Sequence, residues 1–378
     1  MKMTKKVLAM LLVMSMVFAA TACGLGSGDT GSAAGGGSTA SGEVPADDAS
    51  YQEIADFILQ PSDNPDKVVI RYASMASEEQ MYSQPYLRGY LMFMKWVKED
   101  MGDAVEFQFI LNGSIGGTVD AVIGGLQNGN FEMCDYTTTS CGDMSAAYKP
   151  LDLFYLVTSF DDMAALLDGD AGTLMNEQFL KDTKVKNICY GILGPRQMTN
   201  SKKPITSPQD MKGLKMRVQN NDLHVLGMKS LGGNPATIAY SELFTALQQG
   251  TVDGQENPVD TILTSKFYEV QDYMSTTNHI IATAGLFVSD EWYAALPEDV
   301  KASMETNAPK SQEYARNMFN EEYDNTLGKL KEEMEVTELT EDQLKAFQDA
   351  AKKSWGEARN MIGSEYFDKV MKAAGIEF

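Results

Sequence analysis

Two successive series of alternating strand-like and helix-like segments constrain the fold of this chain more than any other feature. In the first series, which begins at Lys67, β-rich runs such as KVVIRYAS and VEFQFIL alternate with segments whose apolar residues recur every three to four positions. A second series of the same kind begins after Lys186. Because such alternation is typical of sheets covered by helices, the sequence predicts two α/β units.

The segments after the second series predict how the two units are joined. Residues 280–288 form an apolar run, which predicts a strand that returns to the first unit. Residues 298–335 have a helical pattern that contains Pro309, and this proline predicts a kink or a break. Thr340 and Gln343 form a capping box, which predicts a further helix that carries Leu344 to Trp355. A chain that crosses back between two units predicts a cleft, a preferred position for small ligands.

The N-terminal region predicts export and attachment to a membrane. Three lysines precede an apolar run that is short for a membrane span, and small residues follow it up to Cys23. A cysteine after Ala-Thr-Ala resembles a bacterial lipobox, although Ala20 stands where leucine is usual. We therefore predict a signal peptide at residues 1–22 and a lipid-anchored, Gly/Ser-rich tether at residues 23–50, outside the cytoplasmic membrane. Ordinary secretory cleavage near Cys23 is the alternative.

The charge of the chain restricts its partners. Removal of the three signal-peptide lysines changes the formal net charge from −22 to −25. Such a charge repels nucleic acid and anionic lipid, so neither is an expected partner. An anionic solute would also be repelled at long range, and its binding would require local, buried positive charge.

The few cysteines and histidines argue against a disulfide scaffold and a metal centre. Apart from Cys23 the chain contains Cys134, Cys141 and Cys189, so at least one thiol has no partner within the chain. Cys134 and Cys141 could pair, and buried free thiols are the alternative. With two histidines in the chain, no His-based metal site is expected, and no motif predicts a cofactor. No catalytic nucleophile motif is present either.

Three motifs in the second series resemble those of one transporter family. They are GLKMRV, LGGNPATIAYSELFTALQQGTVDGQENP and KFYEVQDYMSTTNH, in this order. The chain from Lys67 onward resembles the solute-binding subunits of TRAP (tripartite ATP-independent periplasmic) transporters. The resemblance implies a two-lobed periplasmic-binding-protein (Venus-flytrap) fold with hinge-crossing strands and a long helix spanning both lobes. The expected boundaries are residues 67–193 plus about 283–322 for lobe I, and 194–282 plus about 323–378 for lobe II.

The same resemblance implies the residues of a carboxylate site. Arg217, in GLKMRV, matches the arginine that binds the carboxylate of the ligand, and a guanidinium can donate two parallel hydrogen bonds to that group. Arg196, in GPRQMTN, matches a second arginine that helps to hold the anion in some members. Asn257, in DGQENP, matches an asparagine that hydrogen-bonds the carboxylate region. The alternatives are a surface ion pair for Arg217 and a brace at the hinge for Arg196.

The remaining candidate residues are an aromatic residue and a set of hydroxyls. Tyr240 matches a position that often packs against the ligand, and a hydrophobic staple for the following helix is the alternative. In the first lobe the candidate hydroxyl donors are Ser114, Thr137, Thr138 and Thr139. Some relatives carry acidic residues in these two regions, whereas this chain has Gly117 and a threonine run. Neighbouring Asp253, Gln255 and Glu256 are expected to be structural, since carboxylates that face an anion oppose it.

The resemblance implies a receptor that performs no chemistry and uses no cofactor. It would capture a small organic acid and deliver it to the small and large membrane subunits of a permease driven by an ion gradient. An ABC-type solute receptor shares the two-lobed architecture and is one alternative. A secreted enzyme that acts on small acids, and a sensory receptor that presents its ligand to a kinase, are the others.

Overall fold

The structure is a computed structural model that describes residues 44–377. The predicted signal peptide, Cys23 and most of the predicted tether lie outside the described residues. Within the described range, no helix combines the length and the apolar composition that crossing a membrane would require.

Strands and helices alternate along the described chain, as predicted. The strands are β1 (Val68–Ala73), β2 (Val105–Ile110), β3 (Met133–Thr137), β4 (Val185–Asn200), β5 (Lys215–Val218), β6 (Asn234–Thr237), β7 (Gly254–Pro258), β8 (Tyr273–Ser275), β9 (Ile281–Ser289) and β10 (Glu335–Thr337). The helices are α1 (Tyr51–Ile58), α2 (Glu78–Ser83), α3 (Pro85–Met101), α4 (Val119–Gln127), α5 (Phe160–Asp168), α6 (Asp170–Thr183), α7 (Asp222–Ser230), α8 (Tyr240–Gln248), α9 (Val259–Thr264), α10 (Asp290–Ala295), α11 (Glu298–Glu333), α12 (Glu341–Lys352), α13 (Trp355–Ile362) and α14 (Ser364–Ala373).

The strands are hydrogen-bonded in the order β2-β1-β3-β9-β4-β7-β5-β6, with β8 beside β4 and β10 beside β8. Strands β1, β2 and β3 run parallel to one another, and β9 returns antiparallel to β3, as predicted for residues 280–288. Strands β5, β6 and β7 form a second parallel group. The α/β class and the two-lobed architecture predicted from the sequence are thus confirmed.

Strand β4 connects the two groups because it pairs with a different neighbour at each end. Its first part, from Val185 to Pro195, pairs with β9, and its last part, from Arg196 to Asn200, pairs with β7. From the sequence, a strand is expected only for NICYGIL (residues 187–193), since Gly194 and Pro195 are disfavoured inside strands. Gly194 has φ +101° beside the ring of Phe319, and the β4–β9 register shifts between Ile192 and Gly194. A bulge therefore lets the strand continue past these residues.

Apolar clusters cover both faces of the first group of strands. On β9, Leu286 and Val288 belong to the cluster beneath α3, while Phe287 belongs to the cluster on the opposite face. This alternation follows from the two-residue period of a strand. Trp355 of α13 and Phe367 of α14 also belong to the cluster that contains Phe287.

A kink or a break was predicted at Pro309, and helix α11 continues through this residue, so the break is wrong. Side-chain contacts with α3 stabilise the helix around the proline. The Ser311 hydroxyl donates to Gly89 O (2.8 Å), and Asn307 Nδ2 donates to the Asp100 carboxylate (2.7 Å). A Cβ atom on Gly89 would lie 2.8 Å from the Cβ of Ala315, so this glycine permits close helix packing. Tertiary contacts thus outweigh the loss of one backbone hydrogen bond.

Two smaller predictions about helix ends also need correction. The sequence predicts Ser241 as the N-cap of the ELFTALQQ segment, but α8 begins at Tyr240 and its N-cap is Ala239. Trp355 does not extend α12 but begins α13. The Thr340–Gln343 capping box is present as predicted. The thiols of Cys134, Cys141 and Cys189 are buried and free, so the open alternative of a Cys134–Cys141 disulfide is excluded.

Asp260 on α9 gives a prediction about stability. Burial raises the pKa of its carboxyl group from 3.8 to about 6, a hydrogen bond with Thr326 opposes the shift, and the charge of Glu322 adds to it. Because the folded-state pKa is raised, the contribution of this group to stability is fully present below pH 3.8 and is lost as the pH rises through about 6. We expect Asp260→Asn to raise the free energy of unfolding by about 1–3 kcal/mol at pH 7.5.

Urea denaturation at pH 7.5 and pH 4 checks this expectation, because most of the gain should disappear at the lower pH. The exposed Asp63 provides a matched control, and Asp63→Asn should change stability little at either pH. An equal effect of Asp260→Asn at both pH values would contradict the assignment.

Candidate ligand-binding site

Arg217 lies in the second group of strands as a buried cation. It is on β5, where it pairs with Ala236 of β6, and only 3% of the residue is exposed. Its Nε donates to Ile238 O (2.9 Å), and no carboxylate among residues 44–377 forms a salt bridge with it. Burial lowers the pKa of its guanidinium to about 10, against the field of Glu256, so the group remains charged at neutral pH. Its terminal nitrogens can therefore donate to an anion from outside the chain.

Arg196 is equally buried but already has a carboxylate partner. On β4, Met198 is the residue opposite Glu256 of β7, and Arg196 lies two residues before Met198. Because side chains two residues apart on a strand point to the same side, Arg196 and Glu256 share one face of the sheet. Arg196 Nε donates to Glu256 Oε2, and Nη2 donates to Glu256 Oε1 (2.9 Å). Nη2 also donates to Glu256 O (2.6 Å) and to Asn257 Oδ1 (3.1 Å). This is a bidentate pair, which fixes the geometry of both side chains.

Glu256 is ionised in spite of complete burial. Burial by itself raises its pKa, but the charge of Arg196 and hydrogen bonds from His279 and Arg196 outweigh burial, so the net shift is downward. His279 Nε2 lies 3.2 Å from Glu256 Oε2, and its Nδ1 lies 2.9 Å from Thr277 Oγ1. Burial lowers the pKa of His279, against the opposing effect of Glu256. His279 is thus a hydrogen-bonded structural residue.

The other histidine of the chain lies against the same carboxylate. His224 of α7 is fully buried, with Nδ1 4.0 Å from Glu256 Oε1 and Nε2 3.4 Å from Asp152 Oδ1. Neither ring nitrogen has a hydrogen-bond partner within the described part of the chain. Sequence reasoning missed His224, because 32 positions separate it from Glu256 and no local motif marks it.

Asn257 and Tyr240 complete the second-lobe candidates. The Asn257 side chain is held between Arg196 and Gln255, on a strand that is buried throughout. Gly254 begins this strand, and a side chain at this position would collide with Thr199 O. Tyr240 is 46% exposed, and its hydroxyl lies 2.5 Å from Ser265 Oγ. Nearly half of this residue is thus accessible to solvent.

The structure separates the first-lobe hydroxyl candidates. Thr138 and Thr139 are buried, and their hydroxyls bond to Thr283 and Asp152 respectively. Thr137 donates to Ser140 Oγ (2.8 Å). Ser114 is exposed and donates to Leu111 O (2.9 Å). Each of these hydroxyls therefore already has an acceptor within the protein, whereas the terminal nitrogens of Arg217 have none among the described residues.

Comparison with known proteins places the chain in a family. The family model for bacterial extracellular solute-binding proteins, family 7 (DctP), matches residues 76–360. A solute-binding protein of Roseobacter denitrificans is 36% identical over 208 residues, which are 55% of this chain and 63% of that protein. The chain thus aligns with less than two thirds of that relative.

Solved structures show the same architecture. A TRAP periplasmic solute-binding protein from Ochrobactrum anthropi has a TM-score of 0.73 and 31% identity, and the match covers 82% of this chain and 95% of that one. That structure has a C-terminus bound in its ligand-binding pocket. The sugar-acid-binding protein DctPAm from Advenella mimigardefordensis, in complex with galactonate, has a TM-score of 0.75 and 27% identity, with 82% and 99% coverage.

These matches argue against a secreted enzyme, because the family consists of solute-binding receptors, and against an ABC-type receptor, because the structural neighbours are TRAP binding proteins. TRAP solute-binding proteins act outside the cytoplasm. The chain belongs to the bacterial extracellular solute-binding proteins of family 7, the binding subunits of TRAP transporters.

Proposed function

We propose that this protein is a lipid-anchored extracytoplasmic receptor that captures a small organic acid through a salt bridge to Arg217. The observation that carries the proposal is the contrast between the two buried arginines. Arg196 is neutralised by Glu256, whereas buried Arg217 forms no salt bridge with any carboxylate of residues 44–377. A buried guanidinium with free donors is costly to maintain, and an anionic ligand offsets that cost.

The ligands of related structures support a carboxylate as the bound group. The Advenella relative binds galactonate, and the Ochrobactrum relative holds a C-terminus in its pocket. Galactonate and a chain terminus differ in most respects, but each carries a carboxylate. For this chain we assign the carboxylate to Arg217, with Asn257 and Arg196 beside it and Tyr240 against the ligand. Ser114, Thr137, Thr138 and Thr139 remain secondary candidates.

Capture is proposed to close the cleft between the predicted lobes. In this proposal β4, β9 and α11 are the segments that connect one lobe to the other. Closure excludes water, so the Arg217–carboxylate attraction becomes stronger in the lower dielectric. The ligand favours the closed state only by its additional affinity for that state. The closed receptor then delivers the acid to the small and large subunits of a TRAP permease driven by an ion gradient.

Isothermal titration calorimetry with small carboxylates tests the proposal, and the Arg217 variants described in the Discussion decide which residue binds. A direct heat signal with at least one carboxylate, and none with the corresponding amide or alcohol, is the expected result. Equal binding of an acid and its amide would contradict an Arg-carboxylate contact.

Cys23→Ala is expected to release the protein from the membrane fraction. The proposed acyl chains on Cys23 would supply firm membrane attachment, and the residues after it form a Gly/Ser-rich tether with little apolar surface. Centrifugal fractionation and labelling with an alkyne fatty acid measure the change. Ser27→Ala, in the same tether, should remain membrane-bound and labelled. Equal membrane retention of Cys23→Ala would reject the anchor.

A further inference from the structure

A buried polar cluster on the first group of strands takes no part in the contacts described above. The Asp135 cluster, as we name it, consists of Asp135, Tyr72, Ser74, Tyr86 and Tyr90. Tyr72 is the penultimate residue of β1, and Asp135 is on the adjacent parallel strand β3, two residues before its carboxyl end. Tyr86 and Tyr90 lie one turn apart at the start of α3, which follows β1. Carboxyl ends of parallel strands are where α/β proteins place their ligands.

Asp135 presents a carboxyl group that has no salt-bridge partner in the described part of the chain. It is 7% exposed, and Tyr72 donates to its Oδ1 (2.6 Å). Burial raises the pKa of Asp135, while hydrogen bonds with Ser74 and Tyr72 oppose the shift. No lysine or arginine in the described residues forms a salt bridge with it. The cluster therefore suits a neutral polar group and disfavours a second anion.

Tyr90 adds an unused hydroxyl to the cluster. Its hydroxyl is buried, and within residues 44–377 it has no hydrogen-bond partner. A Cβ atom on Gly191 would lie 2.6 Å from this oxygen. The absence of a side chain at Gly191 therefore leaves room for the Tyr90 hydroxyl. A buried hydroxyl without a partner costs free energy, which a polar ligand group at hydrogen-bonding distance would recover.

The cluster lies on the side of the first lobe that faces the carboxylate site. Gln84, at the start of α3, donates to Thr264 Oγ1 of α9 (3.2 Å), which brings this end of α3 against the second lobe. Tyr86 is close enough to both Asp135 and Tyr240 for their charges to raise its pKa, after the larger effect of burial. Tyr240 in turn interacts electrostatically with Arg217. Tyr86, a member of the cluster, and Tyr240 thus connect the cluster electrostatically to the guanidinium.

We propose that the Asp135 cluster binds hydroxyl groups at the end of the ligand remote from Arg217, so that the receptor selects hydroxylated monocarboxylic acids over dicarboxylates. This selectivity rests on the function proposed above. The Asp135 carboxylate and the Tyr90 hydroxyl can both bond a ligand hydroxyl. The distal carboxylate of a dicarboxylate would instead face Asp135, and like charges at a buried site repel each other.

The test compares acids of equal length by calorimetry: D-erythronate, succinate and butyrate, and then D-gluconate, adipate and hexanoate. In at least one length series the hydroxy acid should bind the wild-type protein at least about tenfold more tightly than the other two acids. Tyr90→Phe removes only the unpaired hydroxyl and should lower hydroxy-acid affinity about threefold to tenfold. Asp135→Leu should lower it about 10- to 100-fold without weakening dicarboxylate binding.

Tyr148→Phe is the matched control, because the hydroxyl of this buried tyrosine bonds to Asn176 outside the cluster. It should leave the preference among the acids unchanged. Tighter binding of the dicarboxylate than of the hydroxy acid, or an unchanged preference in a folded Tyr90→Phe protein, would overturn the subsite. If Arg217→Ala abolishes binding of both acid classes alike while no class is preferred, the proposed function stands and the subsite fails. Absence of binding by all six acids, or binding that survives Arg217→Ala, overturns both.

Discussion

Arg217→Ala is expected to abolish measurable binding of small carboxylates while the ligand-free protein remains folded. Loss of a buried, hydrogen-bonded charge partner costs about 2–5 kcal/mol, which is about 30-fold to several thousand-fold in Kd. The ligand-free protein loses no salt bridge, because Arg217 has none within the described residues. The measurement is calorimetric affinity together with the ligand-induced shift in Tm.

Two variants separate the roles of charge and shape at this position. Arg217→Lys keeps the charge but not the planar pair of donors, so its affinity should lie between those of wild type and alanine. Arg217→Met keeps the stem without the charge and should bind as weakly as alanine. Arg359→Ala, which removes an arginine paired with Asp368 on the C-terminal helices, is the control and should bind normally. Normal affinity in a folded Arg217→Met protein would refute the assignment.

Arg196→Met is expected to destabilise the ligand-free protein by about 3–5 kcal/mol, because it leaves the Glu256 carboxylate buried and unpaired. Both arginines are 3% exposed, so the different stabilities expected for their variants do not come from burial. They come from the Glu256 carboxylate, which pairs with Arg196 and not with Arg217. The free energy of unfolding, measured by urea denaturation without ligand, checks this prediction. A fall in stability for Arg217→Met as large as that for Arg196→Met would contradict the contrast.

The pH dependence and a double variant test the same pair further. Since the folded-state pKa of Glu256 is lowered, its contribution to stability is present above its unfolded pKa near 4.5 and is lost as the pH falls toward the folded value. The penalty of Arg196→Met should therefore be smaller at pH 4 than at pH 7. Arg196→Met combined with Glu256→Leu should recover much of the loss, because apolar replacement of a buried pair is often tolerated.

Local patterns predicted the secondary structure well where the chemistry is local. The Thr340–Gln343 capping box and the strands predicted for KVVIRYAS and VEFQFIL are all present. The pattern failed where long-range contacts decide the outcome. Helix α11 passes through Pro309 because its neighbours hold it, and β4 passes through Gly194 because a bulge accommodates it. Intrinsic propensity is a weak guide at such positions.

The candidate site shows the same division. The resemblance identified Arg196 and Arg217 as a pair of candidates, but it could not show that one is neutralised and the other is not. That difference depends on Glu256, which is 60 residues from Arg196 and becomes its neighbour only when β4 pairs with β7. Asp135 lies in a strand-like segment whose sequence gives no sign of the three tyrosines around it.

The positions of the histidines provide a built-in spectroscopic reporter. The chain contains only His224 and His279, and both rings lie within 4.0 Å of the Glu256 carboxylate. A one-dimensional proton NMR spectrum of the imidazole region should therefore contain signals from this one locality, without isotope labelling or engineered probes. Changes in these signals during a ligand titration would report how much of the proposed site at Arg217 is occupied.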